Sequence, residues 1–140
     1  MKIEFRSLAS SDIEFLTAYA AKCDRIENSK EIDQIRERLQ RRFEDANYMG
    51  FGAIVENELA GFADGLISCD TLEINEVYVT DKLQKLGIGK KLIERLIAFA
   101  QSRGIKKFGL FTEQENTPMK NLANKLGFKL TTLRFEKQAD

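Results

Sequence analysis

The fold of this chain is decided by the stretch Val77-Tyr78-Val79-Thr80-Asp81-Lys82-Leu83-Gln84-Lys85-Leu86-Gly87-Ile88-Gly89-Lys90-Lys91. An apolar strand leads into a Gln-x-x-Gly-x-Gly loop, and a strongly amphipathic helix begins at the second glycine. The first N–H groups of a helix have no partner within the helix and lie at the positive end of its dipole. Glycines without a Cβ allow an anion to approach those groups closely. The loop therefore predicts a phosphate or pyrophosphate site, supported by the Gln84 amide and by nearby lysines.

Spacing narrows the kind of phosphate site. A P-loop requires a glycine at position 84 and a hydroxyl residue at position 91, where this chain has Gln84 and Lys91. A dinucleotide fingerprint requires a third glycine at position 92, which is Leu92, and it normally opens a chain, whereas this loop comes late in the sequence. Both common nucleotide motifs are disfavoured. The remaining alternative to an anion site is a tight strand-to-helix turn.

Composition indicates one globular domain, residues 1–140, with 43% apolar residues. No apolar run approaches membrane-spanning length, the first residues lack a signal-peptide core, and the two cysteines have neither metal-ligand nor CxxC spacing. We therefore expect a cytoplasmic protein without a membrane partner, with Cys69 as a small buried hydrophobe. Histidine is absent from the sequence, which excludes Ser-His and Cys-His catalysis and most transition-metal sites. We expect no metal, and a general base that is a carboxylate or a perturbed Tyr, Cys or Lys.

The formal net charge of zero conceals an asymmetry between the two halves. Residues 1–70 hold nine Lys/Arg against fourteen Asp/Glu, a net of −5, and residues 71–140 hold thirteen against eight, a net of +5. This division suits a polyanionic ligand on the second half and a cationic one on the first, although charged blocks are also ordinary solvated faces. The arginines of the second helix have no interleaved aromatic residues, so nucleic acid is not an expected partner.

Periodicity predicts a mixed α/β (α+β) domain with a mostly antiparallel sheet. The order is strand, two helices, three strands, helix, strand, helix, strand, and the last strand runs from Phe128 to Glu136. Residues 48–55 and 59–68 form an antiparallel hairpin. The strands at 72–79 and 105–111 are joined through a helix by a right-handed crossover, which makes them parallel neighbours. Ligands bind such units where strands end and helices begin, which is the place of the Gln84–Gly89 loop.

This arrangement resembles the GNAT superfamily of acetyl-CoA-dependent N-acetyltransferases. The Gln/Arg-x-x-Gly-x-Gly/Ala signature of that family is matched by Gln84–Gly89, and a second family stretch is matched without a gap from Asn116 to Phe128. The order of elements agrees over nearly the whole chain. The resemblance implies the GNAT-like acyl-CoA N-acyltransferase fold, with the parallel crossover as its fourth and fifth strands.

The resemblance also implies a position for coenzyme A, with acetyl-CoA as co-substrate. The pyrophosphate would bind the loop amides from Lys85 through Leu86, Gly87, Ile88 and Gly89 to Lys90. The pantetheine arm would pair with the backbone of Val77, Tyr78 and Val79, where the fourth and fifth strands part. Asn116 would hold the arm from the far side, although a helix N-cap explains this residue equally well. One departure is clear: the family commonly has a tyrosine general acid where this chain has Ala123. The general acid is therefore unassigned, and Tyr78 is the nearest candidate in sequence.

Direct acyl transfer to an amine requires a base that deprotonates the amine, a hydrogen-bond donor for the carbonyl oxygen, and two reactants that are held together. Glu73 and Glu76 precede the cofactor segment, at positions where some family members keep a catalytic glutamate. Alternation places them on opposite faces of the sheet, so at most one is the base unless a bulge intervenes. We favour Glu76, which is closer to the expected thioester, acting through water, with the N–H of Val79 or one near it as carbonyl donor.

The expected function is thus an acetyl-CoA-dependent N-acetyltransferase. The acceptor would lie over the first two helices and their connection, residues 23–30, which belong to the acidic half. A small cationic amine or a protein or peptide amine fits that wall, and a homodimer is left open. The alternative is a non-catalytic acyl-CoA-binding or sensor domain on the same scaffold.

Overall fold

A mixed five-stranded sheet, in the order β1-β2-β3-β4-β5, organises this computed structural model, which describes residues 2–139. The first four strands are antiparallel neighbours, and β4 and β5 are parallel, joined through α3. The predicted mixed α/β fold with its parallel crossover is confirmed. The elements in chain order are β1 Glu4–Ser7, α1 Ile13–Cys23, α2 Ser29–Glu44, β2 Tyr48–Val55, β3 Glu58–Ser68, β4 Thr71–Val79, α3 Ile88–Ser102, β5 Lys107–Leu110 and α4 Thr117–Lys125.

Two apolar clusters cover the two faces of the sheet. On one face α3 buries Leu92, Ile93 and Leu96 against apolar residues of β2, β3 and β4. Because these three side chains expose 1% or less of their surface, each Leu→Ala change there should cost about 2–5 kcal/mol of stability. On the other face α1 and α2 pack over Phe62 of β3 and Tyr78 of β4. The sheet is thus fixed from both sides, while the ends of β4 and β5 remain available for a ligand.

A β-bulge interrupts β4 at Asn75. Asp64 of β3 lies opposite Glu76, yet the next residue, Gly65, lies opposite Ile74, so Asn75 is the extra residue. An extra residue reverses the alternation of side chains beyond it. The consequence appears in the packing, because Leu72 and Ile74 before the bulge share the α3 face with Val77 beyond it.

The predicted final strand from Phe128 to Glu136 is wrong. Residues 128–139 have no regular secondary structure, and Leu130, Leu133 and Phe135 are 83%, 69% and 91% exposed. The three-residue step from Leu130 to Leu133 breaks the period of two, so no single face of this segment is apolar and none is buried on the sheet. The expectation for Cys69 is also wrong, since this residue lies exposed in the turn before β4 with φ +56°.

Within residues 2–139 no helix is both long enough and apolar enough to cross a membrane.

Candidate functional site

The Gln84–Gly89 loop presents free amides at the start of α3. Gly87 is the N-cap residue of α3 in the left-handed region, at φ +75° and ψ +15°, and Lys85 is also left-handed at φ +69°. Across residues 2–139 no hydrogen-bond acceptor lies within reach of the backbone N–H groups of residues 85–90. The side chains of Lys85, Lys90 and Lys91 are exposed around them. This donor set, at the positive end of a 15-residue helix, fits a pyrophosphate.

Gln84 braces the loop from within. Its amide nitrogen Nε2 donates to the carbonyl oxygen of Val79 at 3.1 Å and to Oδ1 of Asp81 at 3.3 Å. These bonds tie the loop to the end of β4. In this structure Gln84 therefore shapes the loop, and its amide donor is already engaged by Val79 and Asp81.

The second glycine of the motif, Gly89, is not required by packing. A Cβ on Gly89 would meet Leu122 of α4, Val77 and Val79 at 3.6–3.9 Å, which is ordinary van der Waals contact. Position 89 therefore faces β4 and α4 with room for a methyl group. Gly87 differs, because nothing lies within 4 Å of its Cβ direction and its positive φ is what requires glycine.

The strand β4 has an open backbone edge beyond residue 74. Its parallel pairing with β5 ends at Ile74 opposite Leu110, whereas β4 continues to Val79. The N–H of Thr80 donates to Ala60 on the other side, so by antiparallel alternation the polar groups of Tyr78 face β3 and those of Val77 and Val79 face the open edge. That edge runs directly to the free amides of the loop. An extended chain bearing a pyrophosphate fits this surface.

The helix α4 borders the same edge. Asn116 caps it, because Oδ1 of Asn116 accepts from the N–H of Met119 at 3.2 Å. The cap explanation for Asn116 therefore holds in this structure, and its Nδ2 donors are not used by that bond. Ala123 of α4 and Glu73 of β4 line a cavity of about 840 Å³ beside β5. The small side chain at position 123 leaves this cavity without the hydroxyl that a tyrosine would supply.

The bulge at Asn75 brings the two predicted carboxylates to one face. Glu73 precedes the bulge and Glu76 follows it, and both lie on the face opposite Leu72 and Val77. The sequence predicted that at most one of these two residues is the base unless a bulge intervenes. The structure contains such a bulge, so this restriction does not apply. The two differ in environment: Oε2 of Glu73 is buried without a partner among residues 2–139, and Glu76 is exposed.

Acidic groups surround Glu76. Partial desolvation raises the pKa of its carboxyl above the ordinary glutamate value, and the charges of Asp64 and Asp24 raise it further. Arg42 of α2 acts in the opposite direction. A carboxylate with a raised pKa beside the open edge of a strand is suited to proton transfer near neutral pH.

Comparison with known proteins gives this geometry its context. A family model described as the acetyltransferase (GNAT) family matches residues 13–128. The chain belongs to this family.

The individual relatives of this GNAT chain align with different fractions of its length. It is 40% identical over 58 residues to a mycothiol acetyltransferase of Arthrobacter sp. (strain FB24), a match that covers 39% of this chain and 18% of the relative. The chain thus spans about a fifth of the length of that curated relative.

Two solved structures share the fold over nearly the whole chain. The aminoglycoside N-acetyltransferase AAC(6')-Iy in complex with CoA has a TM-score of 0.82 at 16% identity, covering 99% of this chain and 95% of that one. The PaiA N-acetyltransferase from Thermoplasma acidophilum in complex with coenzyme A has a TM-score of 0.79 at 22% identity, covering 96% and 94%.

Sequence reasoning missed the polar residues beneath Glu76 in this GNAT domain. Asp64 is only 2% exposed, and its Oδ2 accepts from the hydroxyl of Tyr48 at 2.7 Å while its Oδ1 accepts from the N–H of Glu76 at 3.2 Å. Burial raises the pKa of the Asp64 carboxyl, although the Tyr48 hydroxyl and Arg42 favour its charged form. One sequence signal was available: Asp64 is the only charged residue inside the otherwise apolar run from Leu59 to Ser68.

An aromatic group from α1 also borders the site. The ring of Tyr19 lies 4.5 Å from that of Tyr78 and 5.3 Å from that of Phe62, measured between centroids. Burial, with Cys23 and Glu76 nearby, raises the pKa of the Tyr19 hydroxyl, which therefore stays protonated at neutral pH. The ring of Tyr78 is packed in this cluster, on the face that carries Glu76.

Proposed function

We propose that this GNAT domain transfers the acetyl group of acetyl-CoA directly to a primary amine, without a covalent enzyme intermediate. One observation carries the proposal: the open edge of β4, residues 75–79, connects the free amides of residues 85–90 with the carboxylate of Glu76. In this proposal the pyrophosphate would bind at one end of this extended surface and the base would act at the other.

The cofactor part of the proposal rests on backbone groups. The amides of residues 85–90 would hold the pyrophosphate of coenzyme A, with Lys85, Lys90 and Lys91 adding positive charge. The polar groups of Val77 and Val79 would pair with the amides of the pantetheine arm as another strand would. The free Nδ2 of Asn116 would contact the arm from the α4 side.

The chemical part of the proposal rests on Glu76 and the end of β4. Glu76 would accept the proton of a cationic amine through a water molecule, which frees the nitrogen lone pair to attack the thioester carbonyl. An N–H directed to the open edge, that of Val79 or of its neighbour on that edge, Val77, would donate to the carbonyl oxygen as negative charge develops there. The departing thiolate of coenzyme A has an ordinary pKa of about 8.5, so it leaves acceptably near neutral pH without the tyrosine that Ala123 replaces.

The acceptor would be a small cationic amine or a protein or peptide amine. Asp24 at the end of α1 and Asp64 both lower the electrostatic potential around Glu76, and only Arg42 opposes them. A protonated amine is attracted to such a site before it loses its proton. The connection between α1 and α2, residues 24–28, would form the neighbouring wall of the acceptor site.

The test is release of free coenzyme A thiol from acetyl-CoA over a panel of polyamines, amino acids, aminoglycosides and peptides. We expect amine-dependent release with at least one class of cationic amine. Glu76→Gln should lower kcat more at low pH than at high pH, because an amine that is already neutral needs no base. Glu73→Gln is the matched control and should retain the wild-type pH profile.

A second outcome would favour the alternative function. Tight binding of acetyl-CoA with no amine-dependent thiol release across the panel would support a non-catalytic acyl-CoA-binding or sensor domain. The observation that favours this alternative function is the small side chain of Ala123, where the family commonly has a tyrosine.

A further inference from the structure

A buried side chain of β3 supports the β-bulge that precedes Glu76. Where Asn75 interrupts the β3–β4 ladder, the N–H of Glu76 is bound by the side chain of Asp64, with Oδ1 at 3.2 Å. A β-bulge leaves backbone groups that the regular ladder would have paired. Asp64 therefore supplies a side-chain acceptor at the residue where the strand changes direction.

Asp64 is itself fixed from the neighbouring strand. The Tyr48 hydroxyl donates to Oδ2 of Asp64 at 2.7 Å, and the Tyr48 ring packs at 5.0 Å from that of Phe43 and under the guanidinium of Arg42. A Cβ at position 50 would lie 2.5 Å from Cδ1 of Leu8 and 3.2 Å from Cβ of Asp64, so the absence of a side chain at Gly50 leaves room for both residues. The chain Tyr48–Asp64–Glu76 thus crosses three strands through two hydrogen bonds.

A stability role alone is a poor explanation for this carboxylate. A nearly fully buried aspartate carries a desolvation cost, which an asparagine or an apolar residue at position 64 would avoid. The carboxylate has two acceptor oxygens, so it satisfies the tyrosine and the bulge amide at once while placing a charge beside Glu76. An asparagine offers one oxygen for two donors.

We propose that Asp64 is a positioning residue of the transfer reaction, holding the backbone of Glu76 at the bulge with Tyr48 as its support. The inference rests on the proposed role of Glu76 as base. The groups that face Glu76 are Asp64 from β3, Tyr19 from α1, Asp24 just after α1, and Arg42 from α2. Those that face Asp64 are Tyr48 from β2, Arg42 from α2 and Glu76 from β4. Of these, Asp64 alone contacts the backbone of Glu76.

The experiment compares the acetyl-transfer pH profiles of the full chain with those of Asp64→Asn, Tyr48→Phe, Glu76→Gln and the double variant Asp64→Asn/Glu76→Gln. We expect Asp64→Asn to lower kcat about tenfold at neutral pH and to move the acidic limb to lower pH, because one source of repulsion on the Glu76 carboxylate is gone. Tyr48→Phe should give a smaller loss. In the double variant Asp64→Asn should add little to Glu76→Gln, because both act on the same group. Asp70→Asn, an exposed aspartate that pairs with Lys107, is the matched control.

Two further readouts separate this inference from the proposed function. Amide hydrogen exchange at Glu76, measured by NMR, should accelerate in Asp64→Ala and in Tyr48→Phe, and the affinity for coenzyme A should stay within threefold of wild type. Unchanged exchange at Glu76, or a pH profile that Asp64→Asn leaves in place, would overturn the positioning role. A wild-type rate and profile in Glu76→Gln would instead remove Glu76 as the base and the reaction role of Asp64 with it. If Asp64→Asn does not fold, Tyr48→Phe decides by the same measurements.

Discussion

Gly109 of β5 lies directly beside Glu73 of β4, and a side chain at position 109 would collide with the Glu73 carboxylate. The two residues are register partners in the parallel pair, so the absence of a Cβ at one makes room for the carboxylate at the other. This local fit accounts for the buried Oε2 of Glu73.

Gly109→Ala should therefore destabilise the fold only mildly, by under about 1 kcal/mol, because the atoms that meet the new methyl are the far end of the flexible Glu73 side chain, which can turn aside. The cost should largely vanish in a Glu73→Ala background, since the group that the new methyl meets is gone. Urea unfolding of the two single variants and the double variant measures this coupling. An equal cost in both backgrounds would show that the conflict lies elsewhere.

The two glycines of the loop should respond differently to alanine. Gly87→Ala forces a Cβ into the left-handed region and should cost about 1–2 kcal/mol of stability. Gly89→Ala meets only ordinary contacts, so stability and coenzyme A affinity should stay close to wild type. Thermal unfolding and calorimetric titration with coenzyme A distinguish the pair, and equal losses in both variants would contradict the assignment.

Gly87→Asp tests the anion site itself. A carboxylate at the N-cap would place a negative charge next to the proposed pyrophosphate, and we expect coenzyme A affinity to fall at least tenfold. Gly104→Asp is a matched control, because Gly104 also has a positive φ, +87°, but follows the other end of α3. Coenzyme A binding that survives Gly87→Asp unchanged would mean that the pyrophosphate binds elsewhere.

Asp12 should make stability depend on pH in the acid range. Its carboxylate is buried, which opposes ionisation, but it accepts two hydrogen bonds from Arg6 at 2.8 and 2.9 Å and one from the N–H of Ala9, and its pKa is lowered. A folded-state pKa below the unfolded one gives stability that is fully present above the unfolded value and is lost as pH falls through the folded value.

Asp12→Asn should accordingly cost about 1–3 kcal/mol at neutral pH, with the difference from wild type shrinking as the pH falls toward the lowered pKa of Asp12. Asp33→Asn, which removes an exposed partner of Arg36, is the control and should cost under about 0.5 kcal/mol. Denaturant unfolding at several pH values provides the measurement. A loss that stays constant down to strong acid would show that the charge of Asp12 is not the cause.

The C-terminal segment should contribute little to stability. Residues 130–139 are exposed, so a chain that stops after Lys129 should unfold within about 0.5 kcal/mol of the full chain. A loss of more than about 1 kcal/mol would indicate that Leu130, Leu133 and Phe135 pack in solution.

Local patterns were sufficient for most of the fold. The amphipathic helix after the Gln84–Gly89 loop and the hairpin of residues 48–55 and 59–68 each follow from interactions within a few residues, and both lie within one residue of where the sequence placed them. The final strand failed because pairing with a sheet edge depends on distant backbone groups. The strand propensity of the individual residues in 128–136 carries no information about that pairing.

The sequence by itself determined the Gln84–Gly89 loop, because a glycine at positive φ and a helix N-terminus are set by neighbouring residues. The parallel crossover followed from the right-handed rule for strand–helix–strand connections, and the family followed from the two matched stretches. Only the tertiary structure decided that Glu73 and Glu76 share a face, since the bulge at Asn75 arises from the register of β3 against β4. It also decided that Asp64, 12 residues before Glu76, binds the Glu76 amide. Register and side-chain contacts between strands depend on how the whole sheet packs, and no local pattern encodes them.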